Sequence, residues 1–270
     1  MTTAPLRALP DFLILGAQKA GTTSLYTYLS AHPNVRPGLF KEAHFFDLRF
    51  ARGERWYRAI FPLSSQLARS RAITGEASPY YLYHPLAAER AAKVTPSVRL
   101  IVLLRNPIER AWSHYRQEVA DGREPLSFIE AIRAEPRRLD RAEDALRAGG
   151  PADLMDNHRR YSYVGRGRYA EQLARWFAAF PREQVLVLRA EDLFHEPTRI
   201  WAQVESFLDL PFADQPEFRA YNAQPYARLP PEAGEELAEI FQRPNDELRA
   251  LLGPDVGWPK QEGLAGEDPA

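Results

Sequence analysis

Gly16-Ala17-Gln18-Lys19-Ala20-Gly21-Thr22-Thr23-Ser24 sets two glycines with four residues between them and follows them with three hydroxyl side chains. It comes directly after the apolar run Asp11 to Leu15 and opens a helical pattern with Leu25, Tyr28 and Leu29 on one face. A loop so placed offers a nest of backbone N–H groups at a helix N-terminus, where an anion is favoured. The loop that holds nucleoside triphosphates carries Lys directly after its second glycine. Here Thr22 takes that position and the lysine has moved to Lys19. Lys19, Ala20, Gly21, Thr22, Thr23 and Ser24 are therefore expected to cradle a mono- or diphosphate-like group, with Lys19 approaching from a different angle. A glycine pair alone reads as a tight strand-to-helix turn. Its place between a buried strand and a Thr-Thr-Ser helix start favours the anion site.

A second anchor lies about ninety residues on. Arg105 ends the apolar run Val98 to Leu104, and Ser113 follows eight residues later in a helix that Pro107 opens and Asn106 caps. An arginine leaving a strand can fork onto a phosphate, with a hydroxyl as a further donor. Alone, Arg105 would be read as pairing with Glu109; beside the glycine loop, the phosphate reading is favoured. Lys41-Glu42-Ala43-His44-Phe45-Phe46-Asp47 gathers a second set of titratable groups. Two readings stand there. Glu42 is a surface partner of Lys41 or a working carboxylate, and His44 is an imidazole packed between Phe45 and Phe46 or a functional group. The six histidines show no metal-ligand spacing.

These residues need a scaffold of alternating strands and helices. Strands are expected at 11–15, 73–78, 98–104 and 185–188, and helices after Gly21, over about 53–60, from Pro85 to Val94, from Pro107, over 169–180, over most of 197–208 and over 231–252. Residues 34–50 read as irregular. The alternation predicts a single α/β domain with a mainly parallel central sheet flanked by helices, and ligands at the carboxyl ends of the strands. Residues 1–10 are expected to be flexible, 11–258 to form the domain, 121–165 to be a polar helical cover and a possible acceptor-site element, and 259–270 to be disordered.

Composition narrows the function classes. The 270 residues carry a formal charge of −1, which gives no basic excess for nucleic acid and no broad basic track for a long polyanion. There is no cysteine, so disulfides, thiolate metal sites and cysteine nucleophiles are excluded. No run is long and apolar enough to be a membrane span, and the first ten residues lack the apolar stretch of a secretory signal, so a cytoplasmic location is expected. Only Lys19, Lys41, Lys93 and Lys260 among the 35 basic residues are lysines. Two of these four fall in the two motifs above.

GAQKAGTTSL with RNPIERAWSHY resembles the sulfotransferases that use 3′-phosphoadenosine-5′-phosphosulfate (PAPS). Through Lys41 to Phe46 the chain is closest to bacterial relatives of the heparan-sulfate branch. Looser similarity runs through Gly75 to Tyr80, Gly167-Arg168-Tyr169 and Arg243-Pro244-Asn245, covering most of 11–258. The resemblance implies a P-loop-like fold, PAPS as sulfuryl donor, no metal, and transfer to a hydroxyl, less readily an amine, of a small-molecule or glycan acceptor. It assigns Glu42 as general base, Lys19 to the leaving group, Arg105 and Ser113 to the 3′-phosphate, and His44 and Asp47 to the acceptor side. Lys41, Ser78 and Tyr80 are expected to contact the acceptor. Ala43, Phe45 and Phe46 beside Glu42 lead to the expectation that desolvation raises its pKa toward neutrality. The family pattern is departed from at Ala77, where many members have Lys, and between Tyr221 and Arg228, where no Lys-Gly-Arg stretch occurs. A nucleotide kinase and a non-catalytic nucleotide-binding protein are the alternatives. The oligomeric state is not legible.

Overall fold

Four short apolar runs make the sheet of the computed structural model, which describes residues 3–150, 152–221, 228–253 and 258. They are β1 (Phe12–Gly16), β2 (Gly75–Ala77), β3 (Arg99–Leu104) and β4 (Val185–Arg189). The order is β2-β1-β3-β4 and every pairing is parallel. Phe12 sits opposite both Gly75 and Arg99, and Leu100 opposite Val185. All of β1 and β2 is buried, as is β3 from Leu100 onward. Continuous apolar runs are what a parallel sheet covered on both faces demands.

The helices are α1 (Thr22–Ala31), α2 (Gly53–Arg58), α3 (Ser64–Ser70), α4 (Ala87–Val94), α5 (Pro107–Ala120), α6 (Phe128–Arg138), α7 (Ala142–Ala148), α8 (Ala152–Arg160), α9 (Tyr169–Ala179), α10 (Ala190–His195), α11 (Pro197–Phe207) and α12 (Pro231–Leu252). Among the described residues, those of 3–105 with 173–221 form one compact unit, and those of 106–172 with 228–253 and 258 form another. The first holds the α/β sheet with α1 to α4, α10 and α11. The second is helical, and its core joins Ile108 and Ala111 of α5, Phe128 and Ile132 of α6, and Leu237 and Phe241 of α12. Residues 121–165 contribute α6 to α8 to this second unit.

Local chemistry explains the boundaries that position the site. Asn106 Oδ1 accepts from Ile108 N at 3.0 Å and Glu109 N at 3.4 Å, with Pro107 as first helical residue, so α5 starts where its sequence signals it. Gly21, at φ 84°, begins α1 from a left-handed conformation that favours glycine. Helices α3 and α10 escape a periodicity reading because each is short, with only Leu67 buried in the one and Ala190 and Leu193 in the other.

The flexibility expected of residues 1–10 gives way to anchoring from Thr3 onward. Arg7 donates to Phe61 O at 2.6 Å and Ala8 N to Pro62 O at 3.0 Å, which ties this segment to the end of the α2 region. The tail 259–270 lies outside the described residues, as does 222–227 of the Tyr221 to Arg228 stretch. Among the described residues, no helix is long and apolar enough to cross a membrane.

Candidate functional site

The carboxyl ends of β1 and β2 carry the two motifs, side by side in the first unit. After β1 the chain turns through Lys19, at φ 72°, and Gly21 into α1. Gly21 brings no side chain to cap the first amides of α1, so the N-terminus keeps the anion-binding character of an uncapped helix start. Ala20 and Thr22 are buried, Lys19 and Thr23 half-buried. Ser24 is buried, and its hydroxyl accepts from Tyr221 N at 3.0 Å, so part of its capacity is spent inside the protein. Arg105, at the end of β3, donates to Lys19 O at 3.1 Å, which joins the strand-end arginine to the glycine loop. Ser113 is half-buried on α5 of the second unit.

The 41–47 loop forms a row of alternating charges. Lys41 Nζ lies 2.5 Å from Glu42 Oε1, Glu42 Oε2 lies 3.4 Å from His44 Nε2, and His44 Nδ1 lies 2.8 Å from Asp47 Oδ2. Asp47 is buried and its other oxygen accepts from Leu48 N at 2.5 Å, whereas the Glu42 side chain is 43% exposed. Both readings of Glu42 are therefore realised together: it pairs with Lys41 and also sits in a polar chain. His44 is not packed between the two phenylalanines; it bridges two carboxylates.

This geometry reverses the expectation for Glu42. The hydrogen bond from His44, followed by the bond and charge of Lys41, lowers its pKa to about 2 against the opposing effect of burial. Phe45 and Phe46 turn into the core, Phe45 stacking on Tyr57 with centroids 4.2 Å apart, and the burial of the carboxylate is outweighed by its two cationic neighbours. Burial works against a charged imidazole at His44, but Asp47 and Glu42 outweigh it and raise its pKa to about 9. Near neutral pH Glu42 is therefore ionised and His44 carries its proton.

Glu42 and His44 adopt φ of 61° and 50°, so both, like Lys19, are non-glycine residues in left-handed conformations. Such residues cost about 1–3 kcal/mol each and persist only where surrounding contacts over-determine them. Several of those contacts were invisible in the sequence. Arg49 donates to Ala43 O at 2.6 Å, and Arg90 of α4 donates to Phe46 O at 2.8 Å and Asp47 O at 3.0 Å. Glu76, fully buried in β2, accepts from Ala43 N. A carboxylate inside a short buried strand is the one sequence signal that could have drawn attention to it.

Ser78 Oγ accepts from His44 N at 3.1 Å, and so is bound to the loop itself. Tyr80 differs from its expected place on an acceptor surface: it is 3% exposed and packs edge-on to His84. Tyr81 is likewise buried, and its hydroxyl accepts from Phe45 N at 2.7 Å. The tyrosine cluster is core.

With this geometry in hand, the comparisons with known proteins agree. A sulfotransferase domain family model matches residues 9–224. The chain is 31% identical to human heparan sulfate glucosamine 3-O-sulfotransferase 6 over 93% of its length and 74% of that protein. It is 27% identical to the membrane-associated sulfotransferase kil1 of Dictyostelium discoideum, over 94% of this chain and 67% of that one. A crystal structure of a sulfotransferase from Alicyclobacillus acidocaldarius superposes with a TM-score of 0.68 at 31% identity, covering 92% of this chain and 98% of that one. The kinase and non-catalytic alternatives are not favoured. A displaced loop lysine, a parallel sheet that opens into a glycine loop and a matching domain over most of its length together make this chain a member of the sulfotransferase family, an enzyme of sulfuryl transfer.

Proposed function

We propose that the chain moves the sulfuryl group of PAPS to a hydroxyl on a small-molecule or glycan acceptor, by in-line displacement. The observation that carries this reading is the Lys41-Glu42-His44-Asp47 row, hung from the strand next to the one that opens the glycine loop. The loop fits a phosphorylated donor: its helix start is uncapped, and Lys19 and Arg105 bring two cations to it. When bound, PAPS supplies the activated sulfuryl group.

The residues divide the remaining work. Lys19, a compact charge, neutralises the oxygen of the departing nucleotide, and Arg105 forks onto the phosphate that distinguishes PAPS from ordinary adenine nucleotides. Ser113 keeps the nucleotide contact that the resemblance gives it. Glu42 is already ionised and accepts the proton of the acceptor hydroxyl. A carboxylate has about four lone-pair sites, so Lys41 and His44 leave room for that proton. His44, fixed by Asp47, orients Glu42 and holds positive charge beside it. General-base assistance contributes typically about 10²–10⁴-fold when the base titrates near the operating pH, and less for a carboxylate held as low as Glu42.

The acceptor-side supports point away from an extended polyanion. The net charge is −1, and a buried alanine, Ala77, takes the place of the lysine common in the family. The test is mass spectrometry of sulfated product with PAPS present and absent, on a panel of alcohols, phenols, amines and unsulfated glycosaminoglycan oligosaccharides. Glu42→Gln is expected to abolish transfer while nucleotide binding is kept. Full activity in that variant would remove Glu42 as the base.

A further inference from the structure

Glu76 has no place in the proton and charge relay above, yet it is the most heavily bonded side chain near it. It lies in the middle of β2, 1% exposed. Its Oε1 accepts from Tyr57 OH at 2.6 Å and Tyr81 OH at 2.9 Å. Its Oε2 accepts from Ser78 Oγ at 2.8 Å and Ala43 N at 3.1 Å. Four donors converge on one carboxylate, which only the acceptor-only ionised form satisfies in full.

Two of those hydroxyls face the reactive loop on their other side. Ser78 Oγ accepts from His44 N at 3.1 Å, and Tyr81 OH accepts from Phe45 N at 2.7 Å. The consecutive amides of residues 43, 44 and 45 therefore end on Glu76, the first directly and the next two through a single hydroxyl each. Glu42 N is held alongside by Ala77 O at 3.1 Å. This ladder spans the loop section in which Glu42 and His44 take left-handed backbone conformations. Tyr57 differs from the other two hydroxyl donors, since no loop amide donates to its oxygen in this ladder; its ring stacks on Phe45.

We propose that Glu76 is the positioning residue of the reaction centre: through Ser78 and Tyr81 it holds the 43–45 amides, and thereby sets the backbone that aims Glu42 and His44. The inference rests on the sulfuryl-transfer role given to Glu42, and the fold alone does not demand it. A buried β2 side chain that served only packing would be apolar, because an ionised group in this position is costly unless its partners are arranged for it.

Glu76→Gln changes almost no volume but turns one acceptor into a donor that faces donors. Tyr81→Phe removes one relay, and Tyr57→Phe removes a donor to the same carboxylate without touching an amide. Two readouts separate positioning from stability. The first is the imidazole titration of His44, followed by NMR and assigned by comparison with His44→Gln, which needs no acceptor. It is expected near 9 in the native chain. It should fall by a unit or more toward the ordinary imidazole value of 6.5 in Glu76→Gln and Tyr81→Phe, and stay in place in Tyr57→Phe. The second is steady-state transfer on the best acceptor of the panel. There kcat should fall about 10²-fold in Glu76→Gln and Tyr81→Phe with KM for PAPS unchanged, as expected for a misaimed reactive group.

If Glu76→Gln does not fold, Tyr81→Phe decides. A native His44 titration and native kcat in a folded Glu76→Gln or Tyr81→Phe protein would overturn the proposal, as would an equal kcat loss in Tyr57→Phe. If the native chain transfers nothing to any acceptor, the functional reading fails. The NMR arm still decides whether Glu76 sets the loop.

Discussion

Asp47 Oδ2 lies 2.8 Å from His44 Nδ1, and this contact turns the opposite ring nitrogen toward Glu42. A buried carboxylate thus orients an imidazole, which in turn steadies a half-exposed carboxylate. Both ring nitrogens face acceptors, so the protonated imidazole, with two donors, matches its surroundings best.

One consequence is a signature in stability against pH. The folded pKa of His44, about 9, lies above the ordinary imidazole value of 6.5. Its contribution is fully present below pH 6.5 and is lost as pH rises through 9. The melting temperature of the native chain should fall over that window, and the fall should be smaller in His44→Gln. Equal slopes for the two proteins would mean that His44 is not held as a cation.

Lys41 adds to the effect of His44 on where Glu42 titrates. Its hydrogen bond and charge both lower the Glu42 pKa, so Lys41→Met should raise it from about 2 toward the ordinary carboxyl value of 4.5. The acid limb of the kcat/KM profile for sulfuryl transfer is then expected to move to higher pH, with the alkaline limb less affected. An unmoved acid limb would place the titrating group elsewhere.

Lys19 offers a test in which activity and stability part company. Lys19→Gly removes the cation and also the left-handed penalty at φ 72°, which costs about 1–2 kcal/mol for an L side chain and is partly offset by the extra backbone entropy of glycine. The variant should melt close to the native temperature while transfer falls about 10²–10³-fold, the loss expected when one charge-stabilising donor is removed. Differential scanning calorimetry beside the PAPS-dependent assay reads both.

Gly16→Ala should act in the opposite sense. A Cβ there would meet Pro79 O at 2.8 Å and Leu82 Cβ at 2.9 Å, and φ of 151° strains any side chain. The main chain must shift, at about 1–3 kcal/mol. Chemical denaturation should show that loss even though the position carries no reactive group.

The scaffold was legible because its strands are short apolar runs with clear neighbours. The VRLIVLL run gives β3, and Asn106-Pro107 marks the start of α5. The pairing of Lys41 with Glu42 was legible too, since adjacent opposite charges often meet. The pKa of Glu42 was not, because the backbone conformation decides which of its sequence neighbours the carboxylate meets. Ala43, Phe45 and Phe46 are buried, and a left-handed backbone at residues 42 and 44 turns the carboxylate toward Lys41 and His44 instead. The role of Glu76 was hidden for a related reason: the amide it receives is 33 residues away, and nothing in a linear pattern announces a hydrogen bond from a peptide group. Tyr80 misled because a tyrosine looks the same in sequence whether it faces solvent or fills a core.

The glycine loop and the charged loop are tied to the same strand ends by peptide groups. Ser78 N donates to Ile14 O at 3.2 Å, Leu82 N to Leu15 O at 2.9 Å, Ala17 N to Leu103 O at 2.6 Å and Glu42 N to Ala77 O at 3.1 Å. Substitution changes side chains and, proline aside, leaves these bonds in place. The spacing between the glycine loop and the Glu42 loop is therefore inherited with the fold, while the side chains around the two loops are free to diverge. A member of this family can change what it accepts over evolutionary time without having to relearn the transfer itself.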